Sequence, residues 1–399
     1  MKLKSLTMAS LLLGASIFAM PAHSEIRIGL MSGITGGAAA MAPDITKAYE
    51  LAVKQVNDQG GILDGQKLVG IIADDGCNPQ IGADAATKVV NVSQVIGLVG
   101  PWCSGALMSV ANTVSIPAGI VVISPAATSP AITGLKDNDL VFRTAASDEY
   151  QGQALARTLL ERGVKEVAVS FVNNDYGKGL AEAFKAEYEG KGGVIKGYAA
   201  HEDNRSSYRS DLAELSSGGA KTLVLFDYGD AAGLTILREA IENGFFENFV
   251  GGEGMRTSAP IKAIGAENLA NFLASAPVGS KSDALEVFSK AIRDAGGDPD
   301  GSWVTNSYDA VFLMALAIEK AGGDKSKVAQ ALRDITKGDG EAVLPGEWTK
   351  AKELIKANKP ITYKGASGPL DFDKNGDVSG VYALFKVNGD RYEVVTNMK

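Results

Sequence analysis

The sequence predicts an α/β protein made of two Rossmann-like lobes, each built on a parallel sheet and joined by a hinge of several strands. Short β-rich runs alternate with amphipathic helices, and this alternation starts afresh at Asp148. The chain of 399 residues also exceeds one average domain. Repeated strand–helix units favour parallel sheets that carry helices on both faces, connected by right-handed crossovers.

The N-terminus is typical of a cleavable secretory signal peptide over residues 1–24. Lys2 and Lys4 precede the apolar stretch 11–20, and the segment ends in small residues up to Ser24, after which cleavage is expected. An uncleaved anchor helix is the alternative, but its apolar core would be too short to cross a bilayer. The mature protein is therefore expected in the periplasm.

The first lobe is predicted from a regular series of strands and helices. In the first helix Ala48, Leu51 and Val56 share one face, and Pro43 lies in the first turn, where its missing N–H costs nothing. The predicted strands cover residues 26–31, 68–73, 95–100 and 119–124, and the helices cover 43–58, 80–92 and 104–114.

The second lobe is predicted from the same alternation. Its strands are expected at residues 167–172, 194–198, 222–226, around Phe249 and at 272–276, and its helices at 148–162, 176–190, 208–217 and 231–243.

The last third of the chain is expected to return to both lobes. Three helices are predicted there, at 284–295, 303–321 and 325–335, and we expect them to pack on the sheet of the first lobe. The apolar run 310–318 is expected to be a buried helix. Strands are predicted at 370–372, 381–387 and 391–395. The predicted lobes are therefore 25–143 with 278–366, and 144–277 with 367–399. Segment 338–368, with Trp348 on a short helix, receives no role.

Charge and histidine content exclude several classes of function. The formal net charge is −8 and becomes more negative when Lys2 and Lys4 leave with the signal peptide, so nucleic acid is a poor partner. After loss of His23, His201 is the only imidazole. No zinc site built on several His or Cys is expected, nor any other cofactor, and His201 lies in a polar stretch typical of an exposed loop.

Motifs of common enzymes are missing from the sequence, and no catalytic activity is expected. There is no G-x-S-x-G elbow and no phosphate loop, and Gly33–Gly37 has the wrong glycine spacing for a dinucleotide site. Residues 371–377 begin like a calcium-binding loop, but Tyr382 occupies the twelfth position, where a bidentate Glu is required. A solvated turn is expected there.

Cys77 and Cys103 are the only two cysteines. An exported protein meets an oxidising compartment, which favours a disulfide that would stabilise the fold by roughly 3 kcal/mol. Two unpaired buried thiols are the alternative.

Candidate ligand-binding residues lie in the loops after strands, since ligands of open α/β sheets bind at the carboxyl ends of the strands. Ser104 starts a helix, where free N–H groups attract a carboxylate, and Thr128 offers a second hydroxyl. Tyr176 and Glu253 would supply an aromatic face and a carboxylate to an ammonium group. An ordinary N-cap and solvated turn residues are the alternatives.

The ordered set of motifs resembles the type I periplasmic solute-binding proteins of the leucine/isoleucine/valine-binding family, which serve ATP-driven importers. The motifs that carry the resemblance are Gly60–Ile62, Asp74–Cys77, Gly100–Ser104, Ser124–Thr128, Arg143–Thr144, Asp148, Tyr176–Gly179, Gly252–Gly254 and Ser307–Ala310.

The resemblance implies a Venus-flytrap fold, a function and a set of site residues. Ser104, Ala126 and Thr128 would hold the ligand carboxylate, and Asp148, Tyr176 and Glu253 would hold the ammonium group. Trp102 is a further ligand-binding candidate, and the family disulfide maps onto Cys77 and Cys103. The implied function is capture of an amino-acid-like solute by a monomer and its delivery to an inner-membrane ABC permease.

Two regions depart from the leucine-binding pattern. The first loop, residues 32–41, lacks an aromatic residue that could cover the ligand, and Asp227, Tyr228 and Arg256 make the opposite wall more polar than an aliphatic ligand requires. These three residues are secondary candidates. The alternative function is a sensing protein that binds an amide or a small carboxylate and feeds a receptor or a different importer.

Overall fold

A computed structural model describes residues 25–278 and 281–399; the predicted signal peptide lies outside the described residues. The strands are β1 (Glu25–Ser32), β2 (Lys67–Asp74), β3 (Leu98–Val99), β4 (Val122–Ser124), β5 (Val141–Arg143), β6 (Glu166–Val172), β7 (Val194–His201), β8 (Thr222–Phe226), β9 (Asn248–Gly251), β10 (Phe272–Pro277), β11 (Glu341–Val343), β12 (Ile361–Tyr363), β13 (Tyr382–Asn388) and β14 (Arg391–Asn397).

The helices are α1 (Ala42–Asp58), α2 (Pro79–Asn91), α3 (Ser104–Val110), α4 (Ile116–Ala118), α5 (Pro130–Thr133), α6 (Asp148–Glu161), α7 (Asp175–Gly190), α8 (Arg209–Ser216), α9 (Ala232–Glu242), α10 (Ser258–Ile264), α11 (Asp283–Asp294), α12 (Val304–Ala321), α13 (Val328–Thr336) and α14 (Trp348–Lys356). A π-helical turn, Ala111–Ser115, joins α3 to α4. Short 3-10 turns include Ala39–Met41 and Glu253–Met255.

The first sheet has the order β2-β1-β3-β4-β5, and all of its strands are parallel. The second sheet has the order β14-β13-β10-β9-β8-β6-β7; it is parallel from β7 to β10, and β13 and β14 extend it in antiparallel fashion. This arrangement confirms the predicted α/β fold with two sheets. Because the parallel strands of each sheet run the same way, the loops after those strands gather at one edge.

Of the helices in the last third, α12 lies against the first sheet, as predicted. α12 packs along α1 and contacts β3 and β4. Its run from Ala310 to Ile318 is fully buried. A run that is apolar on all sides is expected where a helix is enclosed on all sides. On α1, Ala48 and Val56 are fully buried on the inward face, and Pro43 lies at the start of the helix.

The segment without a predicted role, 338–368, closes one end of the first lobe. It folds as β11, α14 and β12, with β11 and β12 paired in parallel. Trp348 is fully buried, and its indole Nε1 donates a hydrogen bond of 2.9 Å to the Gly61 carbonyl. The segment therefore ties the end of α1 to a late part of the chain.

The predicted strand at 370–372 is wrong. Leu370 is buried and the Phe372 ring meets the Phe142 ring edge to face at 5.0 Å, so side-chain packing, without a strand partner, holds this stretch. The neighbouring turn is formed as predicted around Asp373, which accepts from the N–H groups of Asn375 and Asp377. It is not fully solvated.

Asp377 of this turn belongs to a buried ion pair. The Arg143 Nε donates to Asp377 Oδ1 at 2.7 Å, and the Thr133 hydroxyl donates to Asp377 Oδ2 at 2.6 Å. Both members of the pair are buried, and the Arg143 side chain is fully so. The pair anchors the last connection of the chain to β5.

The chain passes from the first sheet to the second after β5. After β10 it leaves the second sheet for α12, which packs on the first sheet, and for the separate two-stranded sheet β11-β12, and after β12 it returns to the second sheet. The residue boundaries given above for the two lobes remain a prediction. Among residues 25–278 and 281–399, no helix has the length and apolar character needed to cross a membrane.

Candidate functional site

A small cavity lies between loops that follow strands of both sheets. The first sheet contributes Trp102, Cys103 and Ser104 after β3 and Ala126 after β4, and the second contributes Tyr176, Tyr228, Glu253 and Gly254. Ala38, Met41 and Trp303 complete its wall. Five of the seven primary candidates thus line one cavity, together with the secondary candidate Tyr228.

Hydroxyl groups line the side of the first sheet. Ser104 Oγ accepts a hydrogen bond of 3.1 Å from the Ser129 N–H, so its own proton stays available for donation. The Thr128 hydroxyl is buried and has no hydrogen-bond partner in the part of the chain that is described. Thr128 does not line the cavity directly, but its carbonyl accepts from the Asp148 N–H at 2.8 Å, which joins this loop to α6.

Aromatic rings form most of the remaining wall. Tyr176 and Tyr228 lie with their ring centroids 5.1 Å apart at an interplanar angle of 31°. Trp102 is held from behind, because its Nε1 donates to the Tyr49 hydroxyl at 2.9 Å. Trp303 precedes α12 with a left-handed backbone (φ 64°), which turns the chain into the helix beside the cavity.

Glu253 is the carboxylate of this wall, at the start of the 3-10 turn after β9. Gln151 Nε2 donates to Glu253 Oε2 at 2.7 Å, and the Tyr176 hydroxyl also bonds the carboxylate. Burial raises the pKa of Glu253 to about 6, against these hydrogen bonds, which favour the charged form. Glu253 therefore remains mostly ionised at neutral pH.

Asp148 is a second acid close to Glu253. It is fully buried, and neither carboxylate oxygen has hydrogen-bonding geometry to any described protein group. Burial and then repulsion from Glu253 raise the pKa of Asp148 well above its ordinary value, while Thr128 and Arg143 act in the opposite direction. Their mutual repulsion disfavours ionisation of both acids at once, and a cation bound beside Glu253 would offset that repulsion.

Three residues of the site were not predicted from the sequence. Gln151 and Ser275 are bonded to each other through Nε2 and Oγ at 3.0 Å, and Gln151 in turn holds Glu253. They lie on α6 and β10, and only the tertiary fold brings them together. Trp303 could have been noticed as a large aromatic residue at the start of the predicted helix 303–321.

Two secondary candidates lie outside the small cavity. Arg256 faces larger neighbouring cavities and stacks its guanidinium 4.3 Å from the centre of the Phe385 ring. Asp227 accepts a hydrogen bond from His201 Nε2 at 2.7 Å if that nitrogen is protonated, and its Oδ1 accepts from the Tyr228 N–H at 2.6 Å. Asp227 thus supports Tyr228 from behind.

The predicted exposed loop position of His201 is wrong. His201 ends β7 and is buried, with Nδ1 2.8 Å from the Ser170 hydroxyl and Nε2 2.7 Å from Asp227. These three residues superficially suggest a catalytic triad, but all are buried and none lines the cavities around Glu253. The chain of bonds ties β6, β7 and β8 together.

The Cys77–Cys103 disulfide is formed, with the two Cα atoms 5.2 Å apart, as predicted. Cys103 lies between Trp102 and Ser104, and Cys77 lies two residues before α2. The bond therefore attaches the turn that carries Trp102 and Ser104 to the residues just before α2.

Comparisons with known proteins are consistent with this arrangement. The model of the family described as receptor family ligand binding region matches residues 45–390. A leucine-, isoleucine-, valine-, threonine- and alanine-binding protein of Pseudomonas aeruginosa is 31% identical, with 94% of this chain and 93% of that protein covered. Leu/Ile/Val-binding protein homolog 3 of Brucella melitensis is 33% identical, with 92% and 93% covered.

Solved structures share the fold. A leucine-binding protein LivK of Thermotoga maritima aligns with a TM-score of 0.80 at 21% identity, covering 94% of this chain and 99% of its own. LivJ of Streptococcus pneumoniae in complex with isoleucine gives 0.78 at 23%, covering 93% and 99%. A solute-binding protein of an ABC transporter from R. palustris in complex with benzoate gives 0.77 at 18%, covering 94% and 96%.

Proposed function

Because this chain belongs to the family of receptor ligand-binding regions that includes the Leu/Ile/Val-binding proteins, we propose that it is the substrate-binding component of an ABC importer for an α-amino acid. Its family consists of binding proteins, and it is not an enzyme. The observation that carries the proposal is that Ser104, from the first sheet, and Glu253, from the second, line one cavity.

The ligand would be held at both ends. The Ser104 hydroxyl lines the cavity and has a proton to donate to a carboxylate, and such charge-assisted bonds are stronger than bonds between neutral groups. Thr128 lies behind this wall beside Asp148, so its hydroxyl would reach the ligand only after a local rearrangement. The ammonium would meet the Glu253 carboxylate and the rings of Tyr176 and Tyr228. Each end is bound by a different sheet, so the ligand favours the arrangement in which the two lobes are closed on it.

Closure on the ligand is the signal that a permease would read. Several hydrogen bonds already connect the two sides, among them one from the Ala40 N–H to Asp230 Oδ2 at 2.9 Å and one from the Ser302 hydroxyl to the Arg256 carbonyl at 3.1 Å. The hinge would be formed by the three connections after β5, β10 and β12, and the lobes by residues 25–143 with 278–366 and residues 144–277 with 367–399. We infer that the protein acts in the periplasm as a monomer, after removal of residues 1–24.

Titration calorimetry with the mature chain tests the binding role. The wild type should bind at least one α-amino acid, and the Glu253→Gln variant should bind it at least tenfold more weakly, about 1.4 kcal/mol. Glu286→Gln, at an exposed position of α11, is the matched control and should bind normally. Equal affinity of wild type and Glu253→Gln would contradict the assignment.

Benzoate in one structural neighbour shows that the fold also accommodates ligands without an ammonium group. A sensing protein for a small carboxylate is therefore the second candidate. The same titrations should then detect a carboxylate such as benzoate and no amino acid, and Glu253→Gln should leave that affinity unchanged.

A further inference from the structure

The small cavity adjoins a much larger one. It has a volume of about 20 Å³, which is room for about one water molecule. The neighbouring cavity has a volume of about 450 Å³, and Glu253 and Trp303 line both. In this conformation a ligand whose ammonium contacts Glu253 has space for its side chain in the larger cavity.

Arg256 lines that larger cavity and a second one of about 610 Å³, and no carboxylate of the described residues forms a salt bridge with it. Its guanidinium is largely shielded by Phe385, and Nη2 has only the Asp300 carbonyl, at 3.4 Å. The buried Nε has no acceptor within residues 25–278 and 281–399. A shielded guanidinium with so few acceptors is costly, because each unsatisfied donor loses its hydration.

Glu253 and Arg256 carry opposite charges on the same turn but do not pair. The Arg256 N–H donates to the Glu253 carbonyl at 3.0 Å, so the two residues are one 3-10 turn apart. The Glu253 carboxylate turns toward Gln151, whereas the Arg256 side chain turns toward Phe385. Each charge is therefore directed at a different part of the cavities.

Building on the proposed function, we propose that the ligand is an α-amino acid whose side chain ends in a carboxylate or a carboxamide, and that Arg256 binds the terminal oxygen. The guanidinium presents parallel N–H donors that match the planar oxygen group of either. Lys281 lies at the rim of the same cavity and adds positive charge, and Asp300 offsets part of it. An aliphatic side chain would leave the Arg256 donors unsatisfied.

The test compares four ligands by titration calorimetry: glutamate, glutamine, leucine, and norleucine as an apolar side chain of similar length. For the wild type, glutamate or glutamine should bind at least tenfold more tightly than norleucine. Arg256→Met should weaken binding of the preferred ligand at least tenfold and change norleucine binding less than threefold. Arg391→Met is the matched control: Arg391 is exposed, pairs with Glu393 and should not affect any of the four.

The outcomes separate this inference from the proposed function. If leucine or norleucine binds the wild type as tightly as glutamate and glutamine, the role of Arg256 is refuted while amino-acid binding stands. If no α-amino acid binds, both fail. Should Arg256→Met not fold, Arg256→Lys keeps the charge and loses the parallel donors; it should still weaken binding of the preferred ligand selectively, and equal loss for all four ligands would overturn the inference.

Discussion

Gln151 Nε2 donates a hydrogen bond of 2.7 Å to Glu253 Oε2, which connects the first turns of α6 to the turn after β9. The same amide nitrogen contacts the Ser275 hydroxyl at 3.0 Å on β10. A neutral amide thus positions the buried carboxylate on which the proposed ammonium site depends.

Replacing Gln151 should weaken ligand binding through Glu253. In Gln151→Leu the carboxylate loses a donor that favours its charged form, so the pKa of Glu253 should rise further and amino-acid affinity at pH 7 should fall about tenfold. Gln153→Leu, on a more exposed position of the same helix, is the control. At pH 8 the Glu253 carboxyl of the variant should be ionised again, so the difference in affinity between the variant and the wild type should become smaller. An equally large difference at pH 8 would show that Gln151 acts on the structure and not on the pKa of Glu253.

Between about pH 4.5 and 6, the affinity for an amino acid should rise with pH, whereas the free energy of unfolding should fall with pH. Burial raises the pKa of Glu253 to about 6, so in this range the folded protein retains a proton that the unfolded chain has released. Its contribution to stability is complete below about pH 4.5 and is lost as the pH rises through 6, by about 2 kcal/mol. Ammonium binding requires the ionised form, so affinity should fall as the pH drops below 6.

Urea unfolding without ligand and calorimetry with ligand, both between pH 4.5 and 8, measure the two trends. Asp75, whose pKa burial raises to about 7, changes stability in the same direction, so only part of the slope should vanish in Glu253→Gln. An affinity that stays constant from pH 5 to 8 would argue against an ionised Glu253 at the ligand.

Loss of the disulfide should lower stability. Cys77 and Cys103 are separated by 26 positions, and for a closed loop of that length the chain-entropy relation gives about 3.5 kcal/mol. The variant Cys77→Ser/Cys103→Ser should therefore unfold at lower urea, and its affinity should drop because the turn with Trp102 and Ser104 is less restrained. A reducing agent should destabilise the wild type and leave the double variant unchanged.

Removing His201 tests its burial directly. His201 and Asp227 form a buried hydrogen-bonded pair, and leaving one partner of such a pair unsatisfied typically costs about 1–3 kcal/mol. His201→Ala should show this loss in urea unfolding, whereas Ser206→Ala, at an exposed neighbouring position, should stay within about 0.5 kcal/mol. A His201→Ala variant as stable as wild type would support the loop position expected from the sequence.

Periodicity was enough to predict most of the fold. The buried face of α1 and the run 310–318 follow from local patterns of apolar residues, and both were confirmed. The strand expected at 370–372 failed because its apolar residues pack side chain to side chain without a neighbouring strand. Local hydrophobicity does not distinguish these two ways of burying a residue.

The site was predicted only in part, for a related reason. Ser104, Tyr176 and Glu253 follow strands, and the rule that such loops converge places them near one another. Gln151 sits inside a helix whose pattern looks ordinary, and its contact with Glu253 spans 102 positions. His201 failed likewise, because its polar neighbours in sequence concealed a distant partner, Asp227.

The interleaved path of the chain has a consequence for biosynthesis. α1 packs against α12, and the turn after α1 is hydrogen-bonded to Trp348 of the late segment 338–368. The second sheet is complete only when β13 and β14 have been added to it. A nascent chain that has emerged only as far as β10 therefore carries two unfinished cores with apolar faces open to water. Translation or export that stops early should release a product recognised by chaperones and proteases, and neither half should accumulate as a stable fragment.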